Sequence, residues 1–255
     1  KRMRVIVIIA FGLAFFQQIT GINAIFYYAP TIFEQAGGST DASFLQAIVV
    51  GLTNLVFTFV AIYLIDKLGR KPLLIIGTSA MAIALSMATL AFNNATYNFN
   101  ETTIEKISNP EIKTALTALN GLSFVSQNEL FENVQPLLNE AQFTEFKQNE
   151  IKSFISINAT LVLIAILLYV AAFAISLGPV MWTMLSEIFP GNVKGIAISV
   201  VGFFNSLVSY TVTQFFPWEL TNLGPTITFA IYAVMAVLSL VFVLKYVIET
   251  KGKTL

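Results

Sequence analysis

Apolar residues gather in six long runs along this chain, approximately Val5–Phe33, Phe44–Ile65, Leu73–Phe92, Ile155–Ile188, Gly195–Phe216 and Pro225–Ile248. Each is long enough to cross a hydrocarbon core of about 30 Å, which takes roughly 20 helical residues. Between the third and fourth runs the pattern changes. Residues 93–152 are rich in Asn, Glu, Thr and Gln and carry eight glutamates and four lysines. Leu116, Leu119, Leu122, Phe124, Leu130, Phe131, Leu137 and Leu138 are scattered among them. The amphipathic pieces Glu111–Leu119 and Glu129–Leu138 predict short helices that pack on each other or on the membrane surface. The pattern therefore predicts an all-α membrane protein: three spanning helices in residues 1–92, a partly helical insertion in 93–152, and three more spans in 153–255.

Charge fixes an orientation for those spans. Lys1, Arg2, Arg4, Lys67, Arg70, Lys71, Lys194, Lys245, Lys251 and Lys253 all fall on one side of a six-span arrangement. Only Lys106, Lys113, Lys147 and Lys152 fall on the other, all within the long insertion. The positive-inside rule then places both ends of the chain in the cytoplasm and residues 93–152 outside. Trp218, beside Phe215, Phe216 and Pro217, falls at an external helix end. The sequons Asn94-Ala95-Thr96 and Asn100-Glu101-Thr102 are short patterns that matter only in a eukaryotic source.

Composition narrows the classes. The chain is 56% hydrophobic and 11% charged, with a mean hydropathy of +0.77, against about 25% charged in soluble domains. Net charge is zero, and nothing suggests nucleic acid. Without cysteine there is no disulfide or thiol chemistry; without histidine the commonest metal ligand and general base is missing. No cofactor or metal is expected, and an enzyme reading is the weakest. The chain opens on Lys1 without a signal-peptide pattern, as a fragment of something longer would.

Polar residues at membrane depth are the candidate chemistry, since each needs a partner or a wet cavity. Gln17, Gln18, Asn23, Tyr27 and Tyr28 lie in the first run, interrupted by Gly21. On a straight helix Gln18 and Asn23 would point about 140° apart; a break at Gly21 brings them onto one cavity. Asn23 and Tyr27, four residues apart, already share a face. Asn54 lies mid-run in the second segment, and Asn205, with Ser206 and Ser209, in the fifth. Trp182 follows Gly178-Pro179, where the long fourth run is expected to break. Neutral amides and phenols suit a neutral, hydroxyl-rich ligand, and an indole beside a kink suits a sugar ring. The blander readings are that the amides glue helices together and that Trp182 packs in the bundle. No carboxylate lies at mid-depth; Glu34, Glu187 and Glu219 sit near segment ends.

The basic side carries a second pattern. Asp66-Lys67-Leu68-Gly69-Arg70-Lys71-Pro72 makes a tight turn between two spans, with Asp66 and Arg70 an i,i+4 pair if helical. Ser186-Glu187-Ile188-Phe189-Pro190 ends the fourth run on the same side. An ion pair from Glu187 to Arg70 or Lys194 would lock neighbouring helices in one state. Lys67 and Lys71 are assigned to topology.

These stretches, together with Glu249-Thr250-Lys251-Gly252-Lys253-Thr254-Leu255, resemble the sugar porter family of the major facilitator superfamily. The resemblance covers nearly the whole chain as the C-terminal six-helix half, spans seven to twelve. It is nearest to bacterial xylose–proton symporters in Tyr27-Tyr28-Ala29-Pro30, Ile48–Asn54 and Asp66–Pro72. It implies that Gln17, Gln18, Asn23, Asn54 and Trp182 bond or stack on a monosaccharide, that Asn205 fills the amide position of the eleventh span, and that Tyr27 gates the outer side. Asp66, Gly69, Arg70 and Glu187 would form the inner gate. It also implies an N-terminal six-helix half as partner, holding any proton-coupling acid, and a bacterial inner membrane as location. Three departures stand out: Asn205-Ser206 replaces the Gln-Trp typical of the xylose symporters, Ile248 replaces the usual Pro, and the insertion exceeds the ordinary family loop.

Overall fold

The computed structural model describes residues 2–252. The charges at Lys1 and Lys253, and the last three residues of the Glu249–Leu255 motif, lie outside them. Helix α1 (Arg2–Ile19) stops before Gly21 and is followed by two short helices, α2 (Ile22–Tyr27) and α3 (Ala29–Gln35). Two long helices come next, α4 (Thr40–Leu68) and α5 (Arg70–Asn93). The insertion contains β1 (Thr96–Asn98), α6 (Glu101–Glu105), α7 (Pro110–Leu116), β2 (Ser123–Phe124), α8 (Gln127–Val134) and α9 (Glu140–Glu145). Strand β3 (Ile155–Ser156) leads into α10 (Ala159–Ile175), α11 (Leu177–Ile188), α12 (Lys194–Asn222) and α13 (Gly224–Tyr246).

Among the described residues six helical stretches are long and apolar enough to cross a membrane: Met3–Tyr27, Thr40–Leu68, Arg70–Asn93, Ala159–Ile188, Lys194–Asn222 and Gly224–Tyr246. They match the six runs, with shifts that have local causes. Ile155 belongs to a strand, because the fourth span starts only at the Asn158 cap, whose side chain accepts from the Leu161 N–H. The fifth span continues through Pro217 to Asn222, so Trp218 lies inside its final turns rather than beyond its end. The fourth run breaks at Ser176 (φ −128°, ψ −102°), two residues ahead of Gly178-Pro179. A proline that lacks an N–H fits the opening turn of a helix, where donors have no partner anyway, so the break precedes it.

One apolar core runs through the bundle, with α5 packed most extensively on α13 and α10, α10 on α4, and α1 on α12. The most apolar windows of α4 and α12 are only 11% and 17% buried, against 61% for the fourth span. Those two helices thus present the least-covered faces of the bundle.

The insertion has its own core, built from Tyr97, Phe99, Ile104, Ile112, Leu116, Phe124, Leu130, Phe146 and Phe154 among others. Alongside its short helices it holds a three-stranded antiparallel sheet in the order β2-β1-β3, with Tyr97 opposite both Phe124 and Ile155. Strands of two or three residues are too short to leave a period-two signature in sequence. Helix α7 continues into a 3-10 turn at Thr117–Leu119, and α8 into one at Gln135–Leu137. The asparagine-rich composition has a structural use, since Asn100, Asn109 and Asn139, with Ser126, cap the helices by accepting backbone N–H groups.

Candidate functional site

The break in the first span creates the site. Gly21 sits at φ +90°, ψ 13°, in the left-handed region, and a Cβ there would lie 3.1 Å from the Tyr232 ring. Glycine alone meets both demands without strain. Breaking the helix strands the Thr20 carbonyl, and the Tyr169 hydroxyl from α10 donates to it at 2.8 Å. The reversal then swings Asn23 back beside Gln18, whose Oε1 accepts from Asn23 Nδ2 at 2.8 Å. The separation expected of a straight helix is thereby removed.

A continuous chain of amides follows. Gln18 Nε2 donates to Asn205 Oδ1 at 3.1 Å and to Gln17 Oε1 at 3.3 Å. Asn205 Nδ2 donates to Gln17 Oε1 at 2.8 Å and to the Ala14 carbonyl at 2.9 Å. Gln17 Nε2 reaches the Leu177 and Gly178 carbonyls at 2.8 and 3.2 Å, on the opening turn of α11. Asn23 Nδ2 also donates to Ser209 Oγ at 2.7 Å. Gln17, Gln18 and Asn205 are buried, so a network in which every amide has a partner holds α1, α11 and α12 together.

Gln18, Asn23 and Asn205 of that network line an open cavity of about 400 Å³ together with Tyr27, Ser206, Ser209, Tyr210 and Thr213, whereas buried Gln17 is not in the lining. Every polar group in this lining is neutral. Tyr27 is well exposed at the end of α2, one turn beyond Asn23. Trp182 stands outside the lining. Its ring packs beside Gly202, where a Cβ would lie 3.7 Å from Cη2, one turn from Asn205 on the same face of α12. Its indole N–H has no partner among the described residues. Asn54 is not brought in: no residue of α4 lines the cavity. Sequence reasoning missed Tyr169, Tyr210 and Thr213, which a hydropathy reading treats as ordinary helix residues.

At the other end of the bundle Arg70 and Glu187 meet. Arg70 Nη2 and Nε donate to Glu187 Oε1 at 2.7 and 3.1 Å, Nε also to Oε2 at 3.2 Å, and Nη1 to the Ile65 carbonyl at 3.0 Å. Asp66 Oδ1 lies 3.3 Å from Nη1 although Gly69, at φ +93° and ψ 168°, breaks the helix between them. Glu187 therefore pairs with Arg70 rather than Lys194, and Thr250 Oγ1 donates to its second oxygen at 2.5 Å. Glu249, unanticipated as a site residue, accepts the Arg70 and Lys71 N–H groups at 3.1 and 3.0 Å and so caps α5. A Cβ at Gly69 would lie 2.7 Å from Glu249 Oε2. Burial pushes the Glu249 carboxyl up, but backbone N–H groups of Lys251, Arg70, Lys71 and Thr250 outweigh it and hold the carboxyl below its usual value. Lys71 Nζ also donates to the Leu244 carbonyl at 3.2 Å, a tie to α13 beyond any topological role.

The family model described as "Sugar (and other) transporter" matches residues 1–113 and 142–255. The chain belongs to this family. The residues passed over, 114–141, fall within the insertion. The D-xylose-proton symporter of Escherichia coli K12 is 34% identical over 257 residues, covering 98% of this chain and 40% of the relative. The facilitated trehalose transporter Tret1 of Bombyx mori is 32% identical over 255 residues, covering 100% of this chain and 40% of the relative. Among solved structures, a major facilitator superfamily proton:xylose symporter bound to 6-bromo-6-deoxy-D-glucose matches with a TM-score of 0.67 at 34% identity, over 98% of this chain and 41% of that one. The chain thus spans about 40% of the length of the curated relatives it matches, and its fold is a six-helix half of a major facilitator sugar transporter.

Proposed function

We propose that this chain is the C-terminal half of a monosaccharide carrier that works by alternating access, with a pentose or hexose, xylose-like first, as substrate and a proton as the coupled ion. The observation that carries this reading is the cavity wall of neutral amides and hydroxyls on three helices, which fits a ligand made of hydroxyl groups. Gln17, Gln18, Asn23 and Asn205 would bond the sugar, Trp182 would stack on it, Asn54 would approach from the side, and Tyr27 would close the outer mouth. The missing half would cover the open side of the cavity, against the sparsely buried faces of α4 and α12. Asp66, Gly69, Arg70 and Glu187 form the inner gate, on the cytoplasmic side of a bacterial inner membrane, with residues 93–152 outside.

Facilitative uniport is the alternative. It is favoured by one observation: carboxylates occur only near the ends of these spans, so a proton carrier would have to sit in the other half. Labelled xylose and glucose uptake by the full-length protein in proteoliposomes, with and without an inward proton gradient, separates the readings. Gradient-driven accumulation above equilibrium is the expected result. Equilibration alone means uniport, and no uptake by correctly inserted protein means a sugar sensor or another ligand.

A further inference from the structure

The insertion carries twelve charges over residues 93–152, yet the fifteen residues from Thr114 to Asn128 hold none. Within this neutral stretch Leu122 and Val125 are 49% and 69% exposed. A soluble surface would alternate such residues with charges, and the longest other charge-free stretches of the insertion, 93–100 and 133–139, are about half as long. The position of the stretch gives the reason. Val125 lines a cleft with Phe92 at the end of α5 and with Leu223 and Ile227 at the start of α13. Ile227 continues into a wholly apolar groove on α13 with Ala230, Ile231 and Val234, on the outward face of a spanning helix. Exposed Val125 is therefore continuous, through Ile227, with the outward surface of α13. Trp218, 55% exposed near the same end of neighbouring α12, marks the depth at which amphipathic aromatics settle.

We propose that residues 114–128 rest in the interface of the bilayer that holds the spans, with Leu122 and Val125 entering its headgroup–acyl boundary. The binding is apolar rather than electrostatic, because the insertion is net acidic, with eight glutamates against four lysines. Zwitterionic lipid is the matching partner. An insertion seated in this way is held at two points, by lipid at β2 and by the Lys152–Glu34 pair at 3.2 Å, which ties it to α3.

The chain has no cysteine, so single nitroxide labels can be introduced at Leu122→Cys and Val125→Cys. The full-length protein, with any cysteine elsewhere replaced, is reconstituted in phosphatidylcholine vesicles. Ile227→Cys gives the lipid reference and exposed Glu140→Cys the water reference. The expected result is an oxygen-to-nickel-chelate accessibility ratio at 122 and 125 several-fold above that at 140 and approaching that at 227. A ratio equal to that at 140 places the stretch in water and overturns the proposal. Labels that neither reagent reaches show that protein, not lipid, covers the stretch, which also overturns it. The two references distinguish in the same preparation a folded, inserted protein from a failed one.

Discussion

Arg70 and Glu187 offer the sharpest quantitative test of the inner gate. Three N–H···O contacts of 2.7–3.2 Å join one guanidinium to one carboxylate. Hydrogen bonds to charged groups contribute about 1.5–3 kcal/mol, but Glu187 keeps 25% of its side-chain surface exposed, and exposed ion pairs contribute only about 0.2–1 kcal/mol. An intermediate coupling of about 1–2 kcal/mol is expected, a factor of roughly 5–30 in an equilibrium between states. Arg70→Gln, Glu187→Gln and the double variant form a thermodynamic cycle. Unfolding in detergent micelles gives the coupling, and sugar turnover at saturating substrate shows whether it matters to the cycle. Glu187→Gln alone should cost more than the coupling, because it keeps an acceptor but removes the charge that faces the nearly buried Arg70, leaving the exposed Asp66 as its carboxylate. Turnover should slow in each single variant while sugar affinity holds. Should the two singles add within about 0.3–0.5 kcal/mol, as independent sites do, and turnover be unchanged, Arg70 and Glu187 are topological charges and no lock.

Gln18→Ala removes the three amide links of that side chain, to Gln17, Asn205 and Asn23, and leaves Asn23 with Ser209 alone, so sugar affinity should fall about tenfold, or about 1.4 kcal/mol; calorimetric titration of correctly inserted protein checks it. Gly21→Ala forces a Cβ into the left-handed region and against Tyr232, a cost of about 1–2 kcal/mol visible as a lower Tm together with weakened sugar binding. Glu249→Gln concerns pH. Its folded carboxyl titrates below the ordinary value, so the stability it contributes is complete above that value and is lost as pH falls through the folded one. The wild type should therefore lose stability on acidification below about pH 4.5, the ordinary glutamate value, and the variant should show a flatter acid limb.

The spans were legible because membrane helices must satisfy every backbone group internally, which turns each into a long apolar run. The site was legible where one run carried both its polar residues and its helix breaker: Gly21 between Gln18 and Asn23 announces the reversal that joins them. Trp182 and Asn54 were harder. Their type suits a sugar, but whether they reach the amide wall depends on how α11 and α4 rotate against α1, and no periodicity in an all-apolar helix records that rotation. At the inner end the turn announced Arg70, yet not which carboxylate it takes. Geometry gave Glu187 to Arg70 rather than to Lys194, and it gave Glu249 the separate task of capping α5 from far along the chain. The insertion shows the same limit from the other side. Asn100 reads as part of a sequon, and only the fold shows it, with Asn109 and Asn139, as a helix cap; the strands are too short to alternate. What its sequence does record is the absence of charge from 114 to 128, a signal that gains a meaning only once the fold places Val125 in one cleft with Ile227 of a spanning helix.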